Sequence, residues 1–123
     1  MARRTSPALT DAEARVMGVL WQRKAATVGD VVAAFKKHPV TYSTVQTILR
    51  ILETKGYVAH DKVARAFVFR PLVDENQARR RALRHLVSRL FDGSPSLLVL
   101  NVLGDEEVDP AEIKRLKRLI EEA

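Results

Sequence analysis

Three threonines set the frame of the first half of this chain. Thr10, Thr27 and Thr41 each stand just before a run of apolar residues at helical spacing. A threonine hydroxyl accepts from a free amide of the first helical turn. In "TDAE" the Glu13 side chain can return the bond, and in "TVGD" Asp30 adds negative charge to the first turn. The pattern predicts three short helices within residues 10–55. Their apolar faces are Val16, Met17, Val19, Leu20 and Trp21, then Val28, Val31, Val32 and Phe35, then Val45, Ile48, Leu49 and Leu52. The first helix should end near "QRKAA". Pro39 should end the second by disfavouring helix in the residue before it, and Gly56 is the expected residue just past the third. Strand-prone residues follow at once: Tyr57 and Val58, then Phe67, Val68 and Phe69. They predict two strands, about 57–61 and 66–70, joined through "DKVAR", a turn without Gly, Asn or Pro. The expected class is mainly α with a small β-hairpin. Three helices and then a hairpin is the winged helix-turn-helix order, in which the third helix enters the DNA major groove and the hairpin lies along the backbone.

The third helix carries an unusual polar face. Tyr42, Ser43, Thr44, Gln46, Thr47 and Arg50 lie opposite its apolar stripe, and no acidic residue precedes Glu53. An ordinary solvent face would favour Glu and Lys, which are strong helix formers. Gln can pair with adenine, Arg with guanine, and a threonine methyl can pack on the methyl of thymine. Hydroxyls and helix N-terminal amides suit phosphate oxygens. The expected DNA-binding residues are therefore Thr41, Tyr42, Ser43, Thr44, Gln46, Thr47 and Arg50, with Lys62 and Arg65 at the basic hairpin tip. The charge balance agrees. Residues 1–73 hold 12 Lys/Arg against 5 Asp/Glu, a net of +7, while residues 74–123 hold 9 against 10, a net of −1; together they make the chain's +6. A basic half points to a polyanionic partner.

Four stretches, "LTDAEARVMGVLW", "TYSTVQTILRILETKGYV", "FRPLV" and "SLLVLNVL", stand in this order. Through them the chain resembles the BlaI/MecI penicillinase-repressor family of bacterial transcriptional regulators, from about Leu9 to its end. The resemblance implies a homodimeric winged-helix repressor on a palindromic operator. It also implies derepression by cleavage after a membrane sensor protease responds to a beta-lactam. The family's cleavage site matches the bond between Asn101 and Val102, where Val stands in place of a frequent aromatic. Related copper-responsive repressors carry a C-terminal cysteine cluster, and this chain has no cysteine. The hairpin turn departs from a glycine-containing form common in the family.

Residues 1–73 are thus expected to form the DNA-binding domain and 74–123 a helical dimerisation region. Asp74 with Gln77 predicts a helix start, and Ala78, Ala82, Leu83, Leu86, Val87, Leu90 and Phe91 form its stripe up to Gly93. "SPSLLVLNVLG" predicts a second helix with Ser94 as cap and Pro95 at its first position, apolar nearly all round and so expected to be buried on most sides. Asp109 and Pro110 open a third, with Ile113, Leu116, Leu119 and Ile120. Three such helices are too few for an independent core, and a twofold copy would cover the surplus. The expected dimer contacts are Leu83, Leu86, Val87, Leu90, Leu97, Leu98, Leu100, Leu116 and Ile120.

Other features point nowhere further. "RRR" at 79–81 reads as a solvated face with phosphate contact as the alternative. His38, His60 and His85 stand on separate elements without metal-pair spacing, and "DEEVD" lacks the length and glycine of a calcium loop. No catalytic motif is visible, so neither an enzyme nor a metal or cofactor is expected. The absence of an 18-residue apolar run and of an apolar leader segment predicts no membrane insertion and a cytoplasmic protein. Two other functions stay open: a winged-helix regulator that senses a small ligand between helices, and a winged helix used only for protein–protein contacts.

Overall fold

A computed structural model describes residues 8–123. Residues 1–7, part of the N-terminal stretch in which no apolar leader is expected, lie outside the described residues. The chain divides into two compact units, residues 1–82 and 83–123.

In the first unit the threonine caps form as their spacing predicts. Helix α1 (Asp11–Arg23) and helix α2 (Val28–Ala34) both open on complete capping boxes, Thr10 with Glu13 and Thr27 with Asp30. Helix α3 (Tyr42–Thr54) is capped by Thr41, whose hydroxyl accepts from the Thr44 amide. It ends in a left-handed turn at Gly56, where φ is 84°. There the Gly56 amide donates to the Glu53 carbonyl at 3.1 Å and the Tyr57 amide to the Leu52 carbonyl at 2.9 Å, the paired bonds of a Schellman end. Helix α2 stops at Ala34, five residues before Pro39, because Phe35 leaves helical geometry and its amide turns to Val32.

The strands are longer than the aromatic clusters alone suggest. β2 (Val58–Val63) and β3 (Ala66–Pro71) pair in antiparallel register, from Val58 opposite Pro71 to Val63 opposite Ala66. The connection is a two-residue turn, Ala64–Arg65, rather than a five-residue loop. Ala64 supplies its positive φ of 56° without a glycine. A third strand, β1 (Ala26–Thr27), escaped the sequence reading. It pairs antiparallel to β3 through Ala26 opposite Phe69 and Thr27 opposite Val68, so the sheet order is β1-β3-β2.

The core lies where the helices meet this sheet. Val16, Met17 and Leu20 from α1, Val28 and Val31 from α2, and Val45, Leu49 and Leu52 from α3 pack with Tyr57, Val58, Phe69 and Val73. Each large side chain so buried contributes roughly 1.5–3 kcal/mol. Polar contacts tie the ends of elements together. The Lys55 ammonium sits 2.6 Å from Glu13 Oε1, and both side chains are almost fully buried. Trp21 Nε1 donates to the Val73 carbonyl at 2.8 Å. Helix α4 (Glu75–Leu90) begins on a reciprocal Asp74–Gln77 cap, and its Ala78 belongs to this core.

The second unit holds the rest of α4, helix α5 (Pro95–Leu103) and helix α6 (Pro110–Glu122). α4 stops at Asp92 and Gly93, both at positive φ. Ser94 caps α5 with Pro95 in its first turn, and Asp109 caps α6 with Pro110 in the same place. The burial expected for α5 is not found within one chain: no α5 or α6 side chain is buried. Leu90 is 70% exposed, Leu100 64% and Ile120 55%, and among the residues of this unit only Val87 is buried. A chain whose leucines face outward on three helices lacks a partner surface for them.

Candidate nucleic-acid interface

The site is assembled from α3 and the hairpin. The apolar side of α3, Val45, Leu49 and Leu52, is fully buried, which forces its opposite side outward. Tyr42, Ser43, Thr44, Gln46, Thr47 and Arg50 are accordingly all exposed, as is Thr41 at the cap. The hydroxyls are partly committed. Thr41 Oγ1 lies 2.8 Å from Thr44 Oγ1, and Thr47 Oγ1 donates to the Ser43 carbonyl at 3.0 Å. Thr47 therefore spends its proton on its own helix and keeps its methyl and lone pairs for an outside contact. Gln46 and Arg50 make no side-chain hydrogen bond or ion pair among the described residues, so an amide and a guanidinium stand free one turn apart.

A groove of about 230 Å³ runs beside them, lined by Gln46, Arg50 and Glu53 of α3 and by His60, Phe67 and Phe69 of the hairpin. Here the structure adds what sequence reasoning missed. His60 Nδ1 lies 2.5 Å from Glu53 Oε2, and the imidazole meets Phe67 edge-on at 5.1 Å and leans on Phe69 at 5.3 Å. Lys62, opposite Phe67, and Arg65 in the turn are exposed and make no ion pair among the described residues. Asp61 is engaged by Arg70 at 3.1 Å. Glu53 and Asp61, the acidic side chains of α3 and of the hairpin, are thus each paired with a neighbour, while Arg50, Lys62 and Arg65 have no carboxylate partner among the described residues. This leaves a surface of donors and positive charge suited to a polyanion.

The arginine run divides. Arg79 pairs with Glu75, and Arg81 covers the Tyr57 ring at 5.3 Å. No group of three or more His, Asp or Glu able to hold a metal occurs among the described residues.

The second unit places the other expected residues. Leu83, Leu86 and Leu90 of α4, Leu97 and Leu100 of α5 and Ile120 of α6 are exposed, Leu98 and Leu116 half-buried, and Val87 buried. An apolar groove of about 380 Å³ between α4 and α5 is lined by Leu83, Val87, Leu98 and Val99 among others. Asn101 and Val102 lie exposed on α5, and Asn101 Nδ2 donates to the Leu97 carbonyl at 2.8 Å. No single helix among the described residues is long and apolar enough to cross a membrane.

Three helices, a three-stranded sheet and an outward polar face on the third helix define a winged helix-turn-helix protein. The chain belongs to the penicillinase repressor family, whose profile matches residues 9–122. It is 32% identical over 118 residues to the penicillinase repressor of Bacillus licheniformis, covering 94% of this chain and 91% of that one. It is 23% identical over 113 residues to the methicillin resistance regulatory protein MecI of Mammaliicoccus sciuri, covering 91% and 92%. The solution structure of the DNA-binding domain of the repressor BlaI superimposes with a TM-score of 0.52 at 33% identity, covering 61% of this chain and 93% of that one. The monomeric form of Bacillus licheniformis BlaI in complex with the blaP half-operator gives a TM-score of 0.50 at 33% identity, with the same coverage.

Proposed function

We propose that this protein is a cytoplasmic, sequence-specific DNA-binding repressor that acts as a homodimer on a palindromic operator. The observation that carries the reading is the outward face of α3. Among the described residues Gln46 and Arg50 stand unpaired there beside hydroxyls and a basic wing, and the adjoining carboxylates are engaged elsewhere. In the major groove Gln46 and Arg50 read base edges, and the α3 hydroxyls, Lys62 and Arg65 hold phosphates. The half-operator bound by the related BlaI monomer supports the same use of this domain. Electrophoretic mobility shift on random duplex DNA tests it. Retardation that weakens steeply with salt is expected, and no retardation at moderate salt would favour a winged helix used for protein contacts alone.

The second unit supplies the dimer. Exposed leucines on three helices of a single chain are a surface for a second copy, which would also fill the groove between α4 and α5. Release follows from the same surface. Cleavage between Asn101 and Val102, triggered by a membrane sensor protease of the beta-lactam-responsive kind, would remove α6 and the end of α5 from the dimer. Without the link between heads, avidity of roughly 10²–10⁴ is lost.

A further inference from the structure

Glu53 is the only acidic side chain on α3, and it stands three residues beyond Arg50. Two arrangements of that carboxylate would harm DNA reading. Left free, it would repel phosphate; paired with Arg50 at helical spacing, it would draw the guanidinium off the bases. The structure shows neither. Glu53 is held by His60 on β2 at 2.5 Å, and Arg50 has no carboxylate partner among the described residues. The imidazole is itself fixed by Phe67 and Phe69 on β3, with Phe69 directly opposite it in register. The titratable or charged groups facing it are Glu53 and Arg50 from α3, and β3 contributes only rings. Lys62 follows two residues along on the same side of β2, whereas Asp61 and Arg70 pair on the hairpin's opposite face. Among the described residues one titratable contact therefore joins the wing to the reading helix, with side-chain exposures of 38% for His60 and 37% for Glu53.

We propose that His60 is a positioning residue for DNA reading: it holds Glu53 away from Arg50 and the phosphates, and its protonation neutralises that carboxylate, so that operator binding takes up protons. This rests on the DNA-reading function proposed above. Histidine is the side chain that changes charge between pH 5 and 8. A protonated imidazole makes the pair neutral. A neutral imidazole can still donate its Nδ1–H to the carboxylate, but the pair then carries a full negative charge beside Arg50 and toward a polyanion. The protonated form binds more tightly, so affinity falls as pH rises.

The test uses the full-length chain and the duplex recovered from random DNA by selection, with affinity followed by fluorescence anisotropy from pH 6 to 8 at constant ionic strength. Wild type should bind several-fold more weakly at pH 8 than at pH 6, within the roughly 100-fold that uptake of one whole proton across two pH units would give. His60→Gln should bind at the weak end at every pH, with His60→Asn as a second neutral variant. Glu53→Gln should bind at pH 8 about as tightly as wild type at pH 6. At pH 6, where wild type and His60→Gln differ most, the loss caused by His60→Gln should be much smaller in the Glu53→Gln background. An equal loss in both backgrounds would mean that His60 meets phosphate directly and would overturn the proposal. So would a pH slope that survives His60→Gln, as His38 or His85 would produce. Unchanged melting temperatures across the set are expected, since both residues are partly exposed. Binding with no slope overturns this inference alone; no binding at any pH overturns the DNA-reading function with it.

Discussion

At the scale of single residues, side chains that read the bases differ from those that hold the backbone. Gln46→Ala or Arg50→Ala should each cost about 1–3 kcal/mol at one base pair and relax the choice there, measured by competition among operator variants. Replacing Lys62 and Arg65 by Ala should instead lower the slope of log affinity against log salt by roughly 1 per lost phosphate contact and leave the preferred sequence intact. Buried Glu13 and Lys55 belong to neither group. They clamp the start of α1 to the end of α3. Lys55→Met leaves a buried carboxylate without its cation and should cost about 3–5 kcal/mol in urea unfolding. A loss below about 1 kcal/mol would show that the Thr10 cap alone satisfies Glu13. Asp30 links stability to pH. The Thr27 amide first, then the Thr27 hydroxyl, hold its carboxyl below the usual value, and Arg23 adds a smaller pull against slight desolvation. A carboxylate depressed in the folded state stabilises at neutral pH, and that contribution is lost as pH falls below about 4. Asp30→Asn should flatten this part of the acid unfolding curve.

At the scale of elements, the wing turn is a direct place to test backbone chemistry. Ala64 sits at φ 56° in a two-residue hairpin turn, a conformation that costs a residue with a Cβ roughly 1–2 kcal/mol. Ala64→Gly should therefore stabilise the fold by up to about 1 kcal/mol in thermal unfolding, reduced by the entropy that glycine adds to the unfolded chain. The ends of elements were legible wherever the cause is local. Thr10, Thr27, Thr41, Asp74, Ser94 and Asp109 cap the helices that their spacing predicts, and Gly56 and Gly93 lie in the turns that end α3 and α4. What could not be read depends on partners distant in sequence. β1 is two residues long, shorter than any alternation, and is a strand only because β3 passes beside it. The turn at Ala64–Arg65 is set by the register of β2 on β3, which no turn residue announces. Glu13 and Lys55 lie 42 residues apart, and nothing in either segment marks them as a pair. The outward face of α3 was legible because its composition is itself the signal. The capture of Glu53 by His60 was not, since it joins a helix to a strand across a turn.

At the scale of the whole molecule, one chain leaves work for another. α5 reads as a helix to be covered on most sides, yet within one chain Leu97, Val99, Leu100 and Val102 remain exposed. Full-length protein should therefore sediment as a dimer at micromolar concentration, and a monomer would remove the basis for two-headed binding. A fragment of residues 1–82, which keeps Ala78 in the core, should fold as a monomer and bind half an operator weakly. A chain truncated after Asn101 mimics the cleaved state. It should lose dimerisation and, with it, roughly 10²–10⁴ in affinity for the full operator. Equal affinity would exclude cleavage there as the switch. The central claim is that two copies of α3 read DNA together, and selection of bound sites from random duplexes by the intact chain tests it most directly. The predicted result is an inverted repeat whose half-sites are centred about 10 base pairs apart or a multiple of that, and which changes at one symmetric position when Gln46→Ala is selected in parallel. An unenriched pool, or a single unrepeated motif indifferent to Gln46, would contradict it.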